Sequence, residues 1–562
     1  MKRFVLALPL AAALAACGSD SNSPGGTKPA LTGIMPSRGT VGTEVRLDGT
    51  AFSAANVRVL FNALESPSVE TDGNAVFARA PEGLVTGTTY SVAVVNDGGK
   101  ADTLANAFTA VAPEIDRVNG ATLAMGLVGM TVIIEGAAYG NAPGSSKVFF
   151  SAANGAPIEA VIADSANDWT DSFVVTSVPQ NVGDTSWIWI ETPTGVSDSV
   201  EFRLIQSGTF SPSLINWTGT TVLPQPLQGH GAVFVQVEAG AAPASYVFVI
   251  AGADTLGTAT TAAHRATVAQ SGAIGDWTSL TALPEPRAYP ATAAATPFTA
   301  ALDTATTAAV VYVVGGVDAA GTTVATSHFA RVDLAGNIDA WQNGPSLPVA
   351  ARGGSAAIFR GYLYFAGGAD AANAPSAAVY RAPIATDGSL GAWEATAAMP
   401  VPRAHFSLVN FGPFLYAVGG ETGAVSAVQA TTSGTETAVV HLSRINLRTG
   451  ALNPWTPVSS QAKARSKHST VFAGGALLTT SGVYSGQPGS SENTYATVNN
   501  DGTLGSWNGA TGSETIEAET GISVYNQAAI TFIDGAGAAH VLVLGGANRV
   551  AAGQPTASVL YY

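Results

Sequence analysis

A tryptophan recurs along the second half of this chain, at Trp217, Trp277, Trp341, Trp393, Trp455 and Trp507, with spacings of 60, 64, 52, 62 and 52 residues. Similarity at such a period restricts the chain to a repeat architecture, because units this small stack on one another to bury their apolar faces. Four of the tryptophans close glycine-containing turns, Gly272 to Trp277, Gly336 to Trp341, Gly388 to Trp393 and Gly502 to Trp507. Between and after the tryptophans lie six apolar runs that end in glycine: Val247 to Gly252, Val311 to Gly316, Leu363 to Gly368, Leu415 to Gly420, Leu477 to Gly482 and Val541 to Gly546. A run that is apolar throughout reads as a strand covered on both faces. The closing glycines mark crowded backbone or a positive φ. One four-stranded sheet per period, six in all, is the expectation. The chain leaves on Ala557-Ser558-Val559-Leu560-Tyr561-Tyr562, which has no tryptophan of its own. The entry strand at Trp217 is therefore expected to complete the last sheet, so that no edge stays open.

Composition agrees with many short strands and turns. The 562 residues include 63 Gly and 30 Pro, and only 11% are charged. Gly and Pro are costly inside helices and at home in turns, so the class expected is all-β. The formal charge is −15, from 24 basic and 39 acidic side chains. Such an excess repels polyanions, and no nucleic-acid partner is expected.

The repeats resemble the kelch family, and more broadly the galactose-oxidase type of propeller, over residues 210–562, which implies a six-bladed β-propeller. Ahead of them, Ile34, Pro36, Gly39, Gly42-Thr43, Val45, Leu47, Gly49 and Phe52, with Ala80-Pro81, Gly87 and Asn96-Asp97-Gly98-Gly99, resemble an IPT/TIG domain across residues 31–111. A second copy is suggested across 112–206 by Ile115, Gly129 to Ile134, Gly136, Tyr139-Gly140, Ser177-Val178-Pro179, Thr192-Pro193 and Gly195. The resemblance implies two immunoglobulin-like β-sandwiches, of a kind used as spacers and adhesion modules in extracellular proteins.

The N-terminus addresses location. Met1-Lys2-Arg3 is basic, and Phe4 to Ala16 is apolar but too short to span a bilayer, so residues 1–16 read as a signal peptide. The run Leu14-Ala15-Ala16-Cys17 resembles the lipobox of bacterial lipoproteins, which implies lipidation of Cys17 and anchoring by its acyl chains. Loss of the leader would leave 22 basic against 39 acidic side chains, a charge of −17. Gly18 after the cysteine favours the outer membrane by the same resemblance. Residues 17–30 are small, polar and rich in Pro and Gly, and form a flexible tether. Cys17 is the only cysteine, so no disulfide is available. The copper site of galactose oxidase, which needs a cysteine crosslinked to a tyrosine, is excluded with it.

No catalytic, metal or cofactor residues are assigned from the sequence, and no cofactor is expected. The histidines, His230, His264, His328, His405, His441, His468 and His540, show no metal-ligand spacing. His230, His405 and His468 recur 12 or 13 residues after a tryptophan, which suits a scaffold role. The sharper constellation is Arg287, Arg352, Arg403 and Arg465, which lie 10, 11, 10 and 10 residues after their tryptophans. Leu227 and Glu517 occupy the +10 position of the other two repeats. Two roles stand open for these arginines. They cap backbone carbonyls between sheets, or they line a pocket at the channel mouth and bind an anionic ligand. The leading functional expectation is a non-enzymatic surface protein that binds an extracellular glycan or protein. The alternatives are a kelch-type carbohydrate-active enzyme, similar to bacterial sialic-acid mutarotases, and a structural envelope protein. Carboxylates and arginines clustered at one mouth would favour the enzyme, and a flat face of exposed aromatics would favour binding.

Overall fold

The structure is a computed structural model. It describes residues 27–118, 124–126, 128–141, 143–162, 168–204, 217–237, 244–296, 300, 302, 306–425, 434–447, 449–484, 492–499, 501–509, 524–533, 539–548 and 554–561. Cys17, Glu517, the leader and most of the tether lie outside these residues. Every regular element described is a strand, so the chain is all-β. It divides into two compact units, one up to Val111 and one from Ala112 onward.

The first unit is a two-sheet sandwich. One sheet contains Ala30–Met35, Glu44–Thr50, Ala75–Arg79 and Val69–Thr71, and the other is built on Arg58–Phe61, Thr89–Val95 and Ala101–Ala110. Val45, Leu47 and Val76 from one sheet meet Val59, Phe61, Val92 and Phe108 from the other in a single core. The alternation along Thr89–Val95, with Tyr90, Val92 and Val94 buried, is that of a strand with one face on a core.

The second unit begins with a sandwich of the same plan. Glu114–Val118, Thr131–Ala137, Phe173–Ser177 and Trp169–Thr170 form one sheet, and Lys147–Ser151, Thr185–Thr192 and Val200–Leu204 are the centre of the other. It adjoins the sheets that follow. Ile133, Phe173 and Val175 pack on Leu447 and Phe359, Arg360 lies 4.2 Å over the Phe173 ring and pairs with Glu135 at 2.9 Å, and Arg444 pairs with the buried Asp168.

The remainder holds six four-stranded antiparallel sheets, with two short ones beside them: Arg465–Ser466 with Val483–Tyr484, and Val524–Tyr525 with Ala547–Asn548 and Gln554–Pro555. The first five run outward in chain order from Gly231–Val237, Ala291–Ala295, Ser355–Phe359, Ser407–Phe411 and Ser469–Ala473. The sixth consists of Ala528–Ile533, Ala539–Leu544, Val559–Tyr561 and, from the other end of the array, Thr218–Gly219 beside Trp217. The six first strands neighbour one another in cyclic order, the sixth returning to the first. The second strands are the apolar runs of the sequence, and Thr307–Val314 is buried along its whole length.

Two repeated contacts explain the sequence signature. Trp277, Trp341, Trp393, Trp455 and Trp507 each donate the indole N–H, over 2.8–3.2 Å, to a carbonyl in the segment after the preceding tryptophan. Each tryptophan therefore staples one sheet to the next. The second glycine of each closing pair has φ of about 100° (Gly316 98°, Gly420 100°, Gly546 102°), a region that L side chains rarely enter. The first needs only the ordinary left-handed region, and Ala251 (62°) and Ser481 (56°) occupy it.

Candidate functional site

The centre of the array is built by the short segment that leads into each first strand. In chain order these segments are Leu227-Gln228-Gly229, Arg287-Ala288-Tyr289, Ala351-Arg352-Gly353, Arg403-Ala404-His405, Arg465-Ser466-Lys467 and Val524-Tyr525-Asn526. Their equivalence follows from the hydrogen bonds. The carbonyls of Leu227, Arg287, Ala351, Arg403, Arg465 and Val524 each accept from the second glycine of a neighbouring pair at 2.7–3.2 Å. The third residues close a cycle among themselves. The amide of Tyr289 donates to Gly229, Gly353 to Tyr289, His405 to Gly353, Lys467 to His405, Asn526 to Lys467 and Gly229 to Asn526, over 2.7–3.0 Å. All six have φ between 50° and 60°. Only two are glycine, so Tyr289, His405, Lys467 and Asn526 are held left-handed at a cost of about 1–2 kcal/mol each.

This alignment separates the four candidate arginines. Arg287, Arg403 and Arg465 hold the first position, where the side chain turns back onto the lead-in segment or strand ends of its own sheet. Arg403 is fully buried and donates to the carbonyls of Gly419 (2.6 Å) and Val439 (2.8 Å) and toward Nδ1 of His441 (2.5 Å). Arg465 donates to Ser481 O (3.2 Å), Glu492 O (2.9 Å) and Glu492 Oε2 (3.0 Å). Arg287 reaches Pro286 O (2.9 Å), Glu285 Oε2 (2.5 Å) and Thr326 Oγ1. Arg352 holds the second position, one residue later. A shift of one along extended backbone moves a side chain to the opposite face. Its guanidinium accordingly lines a cleft of about 350 Å³ together with Tyr289, Asn373, Asp318, Thr322 and Thr323. Nη2 donates to Asn373 Oδ1 at 2.6 Å, while Nε and Nη1 have no partner among the described residues. Burial lowers the Arg352 pKa, against the opposing pull of Glu421, Tyr289 and Asp370.

The sixth repeat departs from the sequence reading. Its first position is Val524, 17 residues after Trp507, and not the +10 residue Glu517, because a longer segment intervenes.

Behind Arg352 lies a buried polar cluster that sequence reading did not assemble. Lys467 Nζ is 3.4 Å from Glu421 Oε1, with side chains 2% and 0% exposed, and Ser466 donates to the same oxygen at 3.3 Å. Burial pushes the Glu421 carboxyl up, against the pull of Lys467. His405 packs edge-on against Tyr289, ring centres 5.8 Å apart, and its pKa is held well below the ordinary value by burial, then by Lys467 and Arg352. Its imidazole is neutral. His230 and His468 sit elsewhere, in the fourth position, against Gly545 and Gly419 of the adjoining sheet, where an added Cβ would lie 2.6–2.7 Å from the imidazole. The distinction was present in the spacing, +12 for His405 and +13 for the other two. Asp254, Asp318 and Asp370, which follow three of the glycine pairs, each accept two backbone amides of their own turn. Among the described residues no three His, Cys, Asp or Glu side chains converge as a metal site would require.

No protein-family model matches this chain, and no curated protein matches it. Among solved structures, one titled "Structure of YjhT" is similar at 15% identity with a TM-score of 0.43, over 61% of this chain and 96% of that chain.

Proposed function

We propose that this chain is a lipid-anchored surface protein in which two immunoglobulin-like domains carry a six-bladed kelch-type propeller, and that the propeller binds a glycan or protein at the cleft beside Arg352. Lipidation at Cys17 and placement at the outer membrane rest on the lipobox resemblance. The domain reading is supported by one core per sandwich, by the six sheets in cyclic order and by the shared sheet that joins the two ends of the array. The observation that favours recognition at the centre is Arg352 itself. It is a 7%-exposed cation with two donor atoms left over, in a wall of mostly small and hydroxylated residues with Asn373 and Asp318, whose carboxylate accepts amides of its own turn. Leaving buried charge unpaired is costly, and an incoming acceptor would relieve that cost. The left-handed residues around it are strain of the sort that collects at binding centres.

A second reading, a carbohydrate-active enzyme similar to sialic-acid mutarotases, draws on Glu421, Lys467 and His405. A carboxyl with raised pKa and a neutral imidazole are suited to proton transfer. Binding is preferred because Glu421 faces Lys467 and Ser466 and does not line the cleft.

The deciding experiment is a glycan array probed with the full chain and with Arg352→Ala. The expected result is binding to anionic glycans that the variant loses by at least tenfold. Equal binding by both proteins would remove Arg352 from the site, and turnover of a bound sugar abolished by Glu421→Gln would favour the enzyme.

A further inference from the structure

The second sandwich has an exposed aromatic face that the first lacks. In Thr185–Thr192, Ile188 and Ile190 point into the core, so Trp187 and Trp189 stand on the outer face. Trp187 is 46% exposed. Phe149, on the adjoining strand, is the register partner of Trp189, and their rings stack at 5.4 Å and 18°. The same face of the first sandwich carries Ser91 and Ala93 on Thr89–Val95 and Leu60 on Arg58–Phe61, so the fold does not require aromatics there. A cross-strand pair accounts for Phe149 with Trp189. It leaves Trp187 unexplained.

From this face we infer a glycan-binding platform, occupied by neutral pyranose rings and independent of the cleft at Arg352. Of the five charges that rim it four are paired, Lys147 with Glu159 at 2.7 Å and Arg203 with Glu201 at 3.0 Å, and the fifth, Glu191, accepts the Trp189 indole N–H at 3.1 Å. With one carboxylate left over, such a rim repels anionic partners and offers a cationic one only a single exposed charge. It does offer hydroxyl-seeking atoms at the ring edges, and a sugar presents C–H groups on its face and hydroxyls at its rim. Size points the same way. Three half-covered aromatic rings expose roughly 200–300 Å², far below the ~800 Å² per partner of a stable protein interface, and enough for one or two sugar rings.

The test is affinity electrophoresis of the full chain through gels that each contain one neutral polysaccharide: a β-glucan, an α-glucan, a mannan or a xylan. Retardation is expected in at least one gel, weakened at least tenfold by Trp187→Ala or Trp189→Ala, regained in Trp187→Phe, and unchanged in Arg352→Ala. Absence of retardation in every gel, or retardation indifferent to both tryptophans, would overturn the inference. Retardation lost only in Arg352→Ala would assign the glycan to the cleft instead. Self-association of the chain abolished by Trp187→Ala would mark the face as a contact between two copies.

Discussion

The seams between the sheets and the centre they enclose belong to the same six repeats, yet they obey different rules. In the seams, equivalent positions do equivalent work. Five tryptophans donate to equivalent carbonyls, each four residues after the preceding tryptophan. At the centre the six positions differ: Gln228, Ala288, Arg352, Ala404, Ser466 and Tyr525 in one layer, Gly229, Tyr289, Gly353, His405, Lys467 and Asn526 in the next. A repeat that serves only as scaffold has no reason to diversify its most enclosed layer, or to hold four non-glycine residues left-handed there. Regularity marks what stacks, and its breakdown at the centre is what the proposed binding role rests on.

The largest effect should come from cutting the seam that closes the ring. Removing residues 553–562 deletes Val559–Tyr561, which pairs with Thr218–Gly219 on one side and Ala539–Leu544 on the other. Two edges then open, and cooperative thermal unfolding of the second unit should be lost; a truncated chain that melts like the full one would disprove closure.

Next in size is the response to acid. Burial lowers His230 to about 4 and His468 to about 3, from an ordinary 6.5. The unfolded chain therefore takes up protons near pH 6.5 that the folded chain refuses. The stability these neutral rings contribute is complete above that pH and is lost as pH falls toward 4 and 3, at up to about 1.4 kcal/mol per pH unit for each. Glu421 works in the opposite sense, since its raised pKa favours the folded state on acidification. Denaturation midpoints should fall steeply between pH 6 and pH 5, and the slope should flatten in His468→Gln. An unchanged slope would place His468 outside the seam.

A third seam joins the second sandwich to the sheets. Asp168→Asn weakens the pair with Arg444 at a buried carboxylate, and the expected cost is about 2 kcal/mol by chemical denaturation. A negligible cost would mean that the two parts unfold separately. The smallest effect is expected at Ala251, the first residue of a closing pair, with φ 62°. Ala251→Gly relieves the left-handed strain but removes a fully buried core methyl, so the two should offset to within about 0.5 kcal/mol; a loss above about 1 kcal/mol would show that packing outweighs strain.

Much of this was legible in the sequence. The all-β class followed from the apolar runs and turn residues, and the pairing of the first tryptophan strand with the last strand from a final run that has no tryptophan of its own. The role of the candidate arginines was legible only to within one residue. Arg352 differs from the others by +11 against +10, and His405 from His230 and His468 by +12 against +13. In an extended segment that single step exchanges scaffold for centre. Nothing in the spacing announces it until hydrogen bonds fix which carbonyl is equivalent to which. Glu517 was misplaced for a related reason, since residues inserted after Trp507 break the count. Glu421 and Lys467 come from neighbouring sheets, and their pairing is set by backbone registry across the seam between them, which one sequence does not encode locally.

The contrast between scaffold and centre is tested most directly by equilibrium unfolding of Arg403→Ala beside Arg352→Ala. Arg403 satisfies two buried carbonyls and a buried imidazole, so its loss should cost about 3 kcal/mol. Arg352 holds one side-chain partner and pays for its burial, so its variant should stay within about 1 kcal/mol of the parent. Equal destabilisation by the two would return Arg352 to the scaffold and leave the centre without its anchor.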